Sequence, residues 1–136
     1  MLLLDTGPFV AMIRANDPHH DWALSTLQQQ REPLLTCDAV LSETSFILRR
    51  YRQDPARAFD LIERGVIRLA FNLATEFTAV RELFTRYDNV PASLADACLV
   101  RMSELHPQAQ VMTLDGDFLI YRKSRKQLIK VLSPFA

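Results

Sequence analysis

Short apolar runs of strand length recur along the chain and alternate with stretches of helical periodicity. The apolar runs predict strands over residues 2–4, 34–37, 66–71, 111–114 and, more weakly, 129–132. The helical spacing predicts helices over residues 20–31, 39–52, 55–64, 76–87 and 93–106, the last capped by Ser93. Strands that alternate with helices indicate an α/β fold, with a parallel sheet covered by helices on both faces.

Composition narrows this picture to one ordinary globular domain. The 136 residues suffice for a single core, and 16 basic residues balance 16 acidic ones. No apolar run approaches the 18 or so residues of a membrane span, and Asp5 interrupts the apolar N-terminus, so we expect a cytoplasmic protein with no membrane partner. Cys37 and Cys98 lack the spacing of a zinc site, and we expect two buried thiols.

Two of the predicted strands end on an aspartate. Asp5 follows residues 2–4, and Asp115 follows residues 111–114. In open parallel sheets, ligands bind beyond the carboxyl ends of the strands, where the loops diverge. The two carboxylates are therefore predicted to lie at the same edge of the sheet.

Two further acids lie in helices that are otherwise poor in charge. Glu43 is three residues from Val40 and four from Ile47, which places it on an apolar helix face. Asp96 lies among core-type residues in ASLADACLV. Aspartate is a poor residue for the middle of a helix and is rarely buried without a partner. Both positions therefore need an explanation beyond solvation.

Three of the four acids also have an ordinary structural explanation, whereas Asp96 has no basic residue three or four positions away. Asp5 alone could cap a helix, Glu43 could pair with an arginine at the end of its own helix, and Asp115 with Asp117 could form a turn. A shared site instead accounts for two acids at strand ends and two on apolar helix faces at once.

Carboxylates that share a site require a counter-charge. Two carboxylates about 4 Å apart repel each other by roughly 4 kcal/mol at an effective dielectric constant of 20. A domain is stable by only about 5–15 kcal/mol, so several such pairs need relief. Oxygen ligands without histidine or cysteine select hard ions such as Mg²⁺ or Mn²⁺, which also bind phosphates. The acids thus indicate a metal site for phosphoryl chemistry.

At four places the sequence resembles the PIN domain family, in particular the small single-domain proteins of the VapC toxin type. The matching segments are LLLDTGPFVAMI, LSETSFILRR, PASLADACLVRMSE and VMTLDGDFLIYR, each with an acid in the same order. The resemblance implies that residues 1–136 form one PIN-like nuclease domain, a three-layer α/β/α sandwich with a central parallel β-sheet. It also implies a ribonuclease that depends on Mg²⁺ or Mn²⁺.

The resemblance also assigns site residues position by position. Thr6 matches a hydroxyl residue that orients the site, whereas Ser93 stands where related sequences commonly have another acid. Asp117 matches an additional acid beside the fourth, and either of the two could be the direct ligand. The implied catalytic residues are Asp5, Glu43, Asp96 and Asp115. The implied metal ligands are the same four residues together with Asp117.

The implied partners are an RNA substrate, a small antitoxin protein and a second copy of the chain in a homodimer. Two basic clusters could contact RNA phosphates, and Tyr51 and Tyr121 could stack on bases or simply pack. The clusters are Arg49, Arg50 and Arg52, and then Arg122, Lys123, Arg125 and Lys126. One alternative is a catalytically silent PIN-like scaffold that binds RNA or a partner. A haloacid-dehalogenase-type phosphatase is disfavoured, because it needs an aspartate where Gly7 stands.

Overall fold

In the computed structural model, which describes residues 1–86, 92–124 and 126–135, a parallel sheet forms the centre of the protein. The strands are β1 (Leu2–Leu4), β2 (Leu34–Thr36), β3 (Ile67–Leu69), β4 (Gln110–Met112), β5 (Arg122–Lys123), β6 (Gln127–Leu128) and β7 (Val131–Leu132). The strand order of the parallel sheet is β3-β2-β1-β4-β7, and a separate antiparallel pair is formed by β5 and β6. All five predicted strands are confirmed: β1 has the predicted bounds, β4 begins one residue earlier and ends two residues earlier than predicted, and β2, β3 and β7 are shorter than predicted.

Helices cover the sheet as a three-layer α/β/α sandwich, as predicted. They are α1 (Thr6–Ile13), α2 (His20–Gln29), α3 (Asp38–Arg50), α4 (Ala56–Glu63), α5 (Phe77–Arg86) and α6 (Leu94–Leu105). The five predicted helices correspond to α2–α6, although residue 87 lies outside the described residues. Among the described residues, no helix has the length and hydrophobicity that a membrane span requires.

The first strand lies in the middle of the sheet. β1 pairs in parallel with β2 on one side and with β4 on the other. Its leucines are at most 4% exposed, because a central parallel strand is covered on both faces. This confirms that the opening leucine run is a buried strand, and it fixes the residue that follows, Asp5, on a rigid element.

Helix packing brings the acid-bearing elements together. α3 contacts α6, and α6 also contacts β1 and β4. Ser93 caps α6 as predicted: its hydroxyl accepts the Asp96 N–H at 3.0 Å, while the Asp96 carboxylate accepts the Ser93 N–H at 3.3 Å. Asp96 is therefore in the first turn of α6, at the end of the helix that faces the site.

The two cysteines are both free and buried, as predicted. Cys37 directly precedes α3 and Cys98 lies on α6, and their thiols hydrogen-bond each other. This contact adds to the packing between the two helices that carry Glu43 and Asp96.

Candidate active site

The four acids at strand ends and on apolar helix faces line one cavity of about 380 Å³. Asp5 and Asp115 reach it from the ends of β1 and β4, and Glu43 and Asp96 from α3 and α6. The prediction that these carboxylates share a site is therefore supported by their position around the cavity. The other lining residues are Thr6, Gly7, Ile47, Ser93 and Leu114.

Asp5 is the most deeply buried of these acids. Its Oδ1 accepts the Thr6 N–H at 2.8 Å, and its Oδ2 accepts the Thr113 hydroxyl at 2.6 Å. Burial raises the Asp5 pKa to about 6, against the opposing effect of these two hydrogen bonds, and the charges of Asp96 and Asp115 raise it further. Asp5 is both the N-cap of α1 and a member of the acid cluster, so its capping role is compatible with a place in the cavity.

Thr113 joins the two strand ends, and the sequence analysis did not identify it. Its buried hydroxyl donates to Asp5 and accepts the Asp115 N–H at 2.9 Å. One side chain thus links the Asp5 carboxylate after β1 to the backbone of Asp115 after β4. A polar residue inside the buried segment VMTLD was the signal that could have identified it.

Asp96 is held from two directions. Its Oδ2 accepts both the Ser93 N–H and the Tyr121 hydroxyl, the latter at 3.1 Å. Burial raises the Asp96 pKa, the two hydrogen bonds oppose the shift, and the charges of Asp115 and Glu43 add to it. The shift shows that α6 holds this carboxylate where ionisation is costly.

Tyr121 supports the site and is not a surface for stacking bases. It is fully buried and packs edge-on against Phe118, with ring centroids 5.3 Å apart. Burial, followed by the charge of Asp96, raises the Tyr121 pKa, so the phenol stays protonated and can donate to Asp96. The suggestion that Tyr121 stacks on RNA is therefore wrong, and its role is to position Asp96.

Glu43 is linked to the start of α1. The Thr6 hydroxyl donates to Glu43 Oε2 at 3.1 Å, which agrees with the orienting role that the family resemblance implies for Thr6. Among the described residues, no ion pair joins Glu43 to an arginine of its own helix. The salt-bridge explanation for Glu43 is therefore wrong for the part of the chain that the structure describes.

The two acids around Gly116 occupy different places. Asp115 lines the cavity and also caps a short 3₁₀ helix (Gly116–Leu119), because its Oδ1 accepts the Asp117 N–H at 2.9 Å. Asp117 lies within that 3₁₀ helix and is not among the residues that line the cavity. The geometry thus favours Asp115 over Asp117 as the acid that faces a ligand.

The donor set fits a hydrated hard cation. In the described ranges, no three aspartate, glutamate, histidine or cysteine side chains are close enough to hold an ion between them. Mg²⁺ usually keeps several waters and is bound by one or two carboxylates together with substrate phosphates. Four carboxylates line the cavity, and the pKa of two of them is raised. A hydrated cation would offset the repulsion among these carboxylates.

The two basic clusters differ in whether their side chains already form hydrogen bonds within the protein. The Arg122 guanidinium donates to three backbone carbonyls next to it, and the buried Lys123 donates to the Pro107 carbonyl at 3.0 Å. Arg125 lies outside the described residues. At the end of α3, Arg49 and Arg50 are both exposed, and Arg50 is the better placed to contact RNA, because it lies three residues after Ile47, which lines the acidic cavity.

The burial of Asp5 predicts a pH-dependent stability in the absence of metal. Because the folded-state pKa of Asp5, about 6, lies above its ordinary value of 3.8, the contribution of Asp5 to folding stability is greatest below pH 4 and is lost as the pH rises through 6. Relative to Asp5→Asn, the wild-type protein should lose about 3 kcal/mol of unfolding free energy over that range. Urea unfolding in EDTA at several pH values measures this; a pH-independent difference between the two proteins would contradict it.

Comparison with known proteins places the whole arrangement in context. The PIN domain family matches residues 2–124 of this chain. A crystal structure of the Mycobacterium tuberculosis sarcin-ricin loop cleaving toxin VapC20 superposes with a TM-score of 0.77, at 23% sequence identity, over 86% of this chain and 92% of that one. This likeness shows a shared fold. No curated protein matches the sequence significantly.

Proposed function

This chain belongs to the PIN domain family, and on that premise we propose that it is a divalent-metal-dependent endoribonuclease of the VapC toxin type. The observation that carries the proposal is the cavity at the carboxyl edge of the sheet, where four acids from four different elements meet. A parallel sheet needs no such cluster for stability, since like charges in one cavity oppose folding. We propose further that residues 1–136 form a single nuclease domain.

The residues that would hold hydrated Mg²⁺ or Mn²⁺, directly or through its water ligands, are Asp5, Glu43, Asp96 and Asp115, with Asp117 at most an outer contact. When bound, the cation supplies positive charge for the scissile phosphate and for the attack by water. The protein's own contribution is to fix the carboxylates beforehand. The hydroxyls of Thr6, Thr113 and Tyr121 do so by donating to Glu43, Asp5 and Asp96, respectively.

Several exposed apolar side chains support a protein partner. Phe46 on α3 is 63% exposed and Phe59 on α4 is 50% exposed. Their helices α3 and α4 contact each other, and apolar side chains exposed on neighbouring elements can form an interaction surface. VapC20 is a toxin, and we extend this to propose that the present chain is a cytoplasmic toxin with a small antitoxin, and that it forms a homodimer.

The second candidate function is a silent PIN-like scaffold that binds RNA or a partner without cutting. The complete set of acids around the cavity favours the enzyme, because replacing a single acid would suffice to remove activity. The three hydroxyl donors that hold these acids favour it as well, since a scaffold has no need of oriented carboxylates.

Incubating the purified protein with end-labelled, unstructured RNA tests the proposed function. We expect cleavage with Mn²⁺ or Mg²⁺, none in EDTA, and recovery when excess Mn²⁺ is added back. RNA that binds but stays intact at every metal concentration would establish the scaffold and reject the nuclease.

A further inference from the structure

A second cavity, of about 320 Å³, lies beside the acidic one and is lined by Ile47, Arg50 and Tyr51. Ile47 lines both cavities, so they are neighbours along α3. We propose that this second cavity is a binding subsite for a nucleotide adjacent to the scissile phosphate, with Arg50 on a phosphate and Tyr51 on a base. This proposal rests on the proposed RNA substrate, and it adds the position of the RNA strand along α3.

The spacing along α3 connects the two cavities. Glu43, Ile47 and Arg50 are separated by four and three residues, so they follow one another on the same helix face. Glu43 and Arg50 are about 10 Å apart along the helix axis. An RNA strand with its scissile phosphate over the acids could continue along α3. Its next nucleotides would then lie at Arg50 and Tyr51.

Electrostatics favours a course of the RNA strand from the acidic cavity toward Arg50. The carboxylates around the first cavity repel RNA phosphates, whereas Arg50 is exposed and, among the described residues, has no carboxylate within 4.0 Å. A guanidinium presents several N–H donors in a plane that matches the oxygens of a phosphate. Arg50 is therefore a site of attraction immediately next to a site of repulsion.

Tyr51 has the geometry of a stacking surface. Its side chain is 50% exposed, and the Arg14 guanidinium lies 3.8 Å from the ring centroid. Arg14 is itself held by Asp17 at 3.6 Å, so the ring packs against a fixed cation. Arg14 covers one face of the ring, so the proposed base would stack on the other face, and any base can do so because every base has a π-face.

Arg49 provides a matched control on the same helix. It is exposed and carries the same charge as Arg50, but it is one residue earlier, about 100° around the helix, and lines neither cavity. Arg49→Ala and Arg50→Ala thus remove equal charge from the same helix turn. They differ in whether the lost guanidinium borders the second cavity.

Fluorescence anisotropy with a short single-stranded RNA, in an Asp96→Asn background at several salt concentrations, tests the subsite. Arg50→Ala should weaken binding and lower the slope of log affinity against log salt by about 0.7, the amount expected for one lost phosphate contact on a single strand. Arg49→Ala should leave the slope unchanged. Tyr51→Ala should weaken binding about five-fold or more without changing the slope, and Tyr51→Phe should bind as the parent does.

Measuring RNA cleavage by the wild-type protein, and by variants that carry the same substitutions without Asp96→Asn, distinguishes failure of the subsite proposal from failure of the proposed function. If the wild type cleaves RNA but Arg49→Ala and Arg50→Ala alter the salt slope equally, the subsite is wrong and the nuclease stands. If the wild type neither binds nor cleaves RNA, both proposals are wrong. Melting temperatures of the variants within a few degrees of the parent exclude unfolding as the cause of weaker binding.

Discussion

Asp96→Asn is expected to reduce metal-dependent RNA cleavage by about a hundredfold or more, the scale of losing one preorganised electrostatic group. Asparagine keeps the side-chain shape and an oxygen that can accept from Ser93 and Tyr121, which both bond the native carboxylate. Only the negative charge is lost. RNA binding should be retained or tightened, because one charge that repels phosphate has been removed. Initial cleavage rates and RNA anisotropy measure the two effects separately.

Asp60→Asn is the control for that experiment. Asp60 is exposed on α4 and does not line the acidic cavity, so the change removes the same charge at a distance from the site. It should cleave RNA as the wild type does. Cleavage by Asp96→Asn at a rate near that of the wild type would remove Asp96 from the mechanism.

Mn²⁺ is expected to raise the melting temperature of the wild-type protein by roughly 10 °C. Binding to the folded state alone at 100 times the dissociation constant stabilises a protein by about 2.7 kcal/mol, which corresponds to a shift of that size for a domain of 136 residues. The reason lies in the acidic cavity, where burial raises the pKa of both Asp5 and Asp96. A cation offsets the cost of keeping these groups ionised.

Thermal melts in EDTA and in excess Mn²⁺ measure this shift. Asp5→Asn should lose most of it, since the variant removes a buried carboxylate from the cavity, while Asp60→Asn should keep it. Equal midpoints with and without metal in the wild-type protein would show that the carboxylates do not share an ion.

The prediction of the sheet from sequence succeeded because its strands are apolar and flanked by polar residues. Leu2–Leu4 is the clearest example, since three consecutive leucines fit a strand that is covered on both faces. The first helix received no predicted bounds because α1 is buried at nearly every position and therefore lacks an amphipathic pattern. The pair β5 and β6 was missed because strands of two residues carry too little periodicity.

The acids of the site could be identified from sequence, but two of the groups that hold them, Thr113 and the Tyr121 hydroxyl, could not. Each acid has a local signature, such as a strand end or an apolar helix face. The donors come from elsewhere in the chain: Thr113 is 108 residues from Asp5, and Tyr121 is 25 residues from Asp96. No local pattern shows which distant hydroxyl will meet a given carboxylate.

The position of Asp5 also shows why the competing explanations of a single residue can both be correct. An aspartate at the end of a strand and the start of a helix is a natural N-cap, and α1 uses Asp5 in that way. The same location at the carboxyl edge of the sheet brings its second oxygen to Thr113 and the cavity. Local capping fixes the carboxylate that the site needs.

The central position of β1 has a consequence for synthesis on the ribosome. β1 leaves the exit well before its neighbour β4, which begins at Gln110, so at about 5–20 residues per second this strand waits several seconds for that partner. Until then the nascent chain lacks Thr113 and Asp115 and has no completed acidic cavity. Whatever reaction the cavity supports can therefore begin only after the chain has grown past β4.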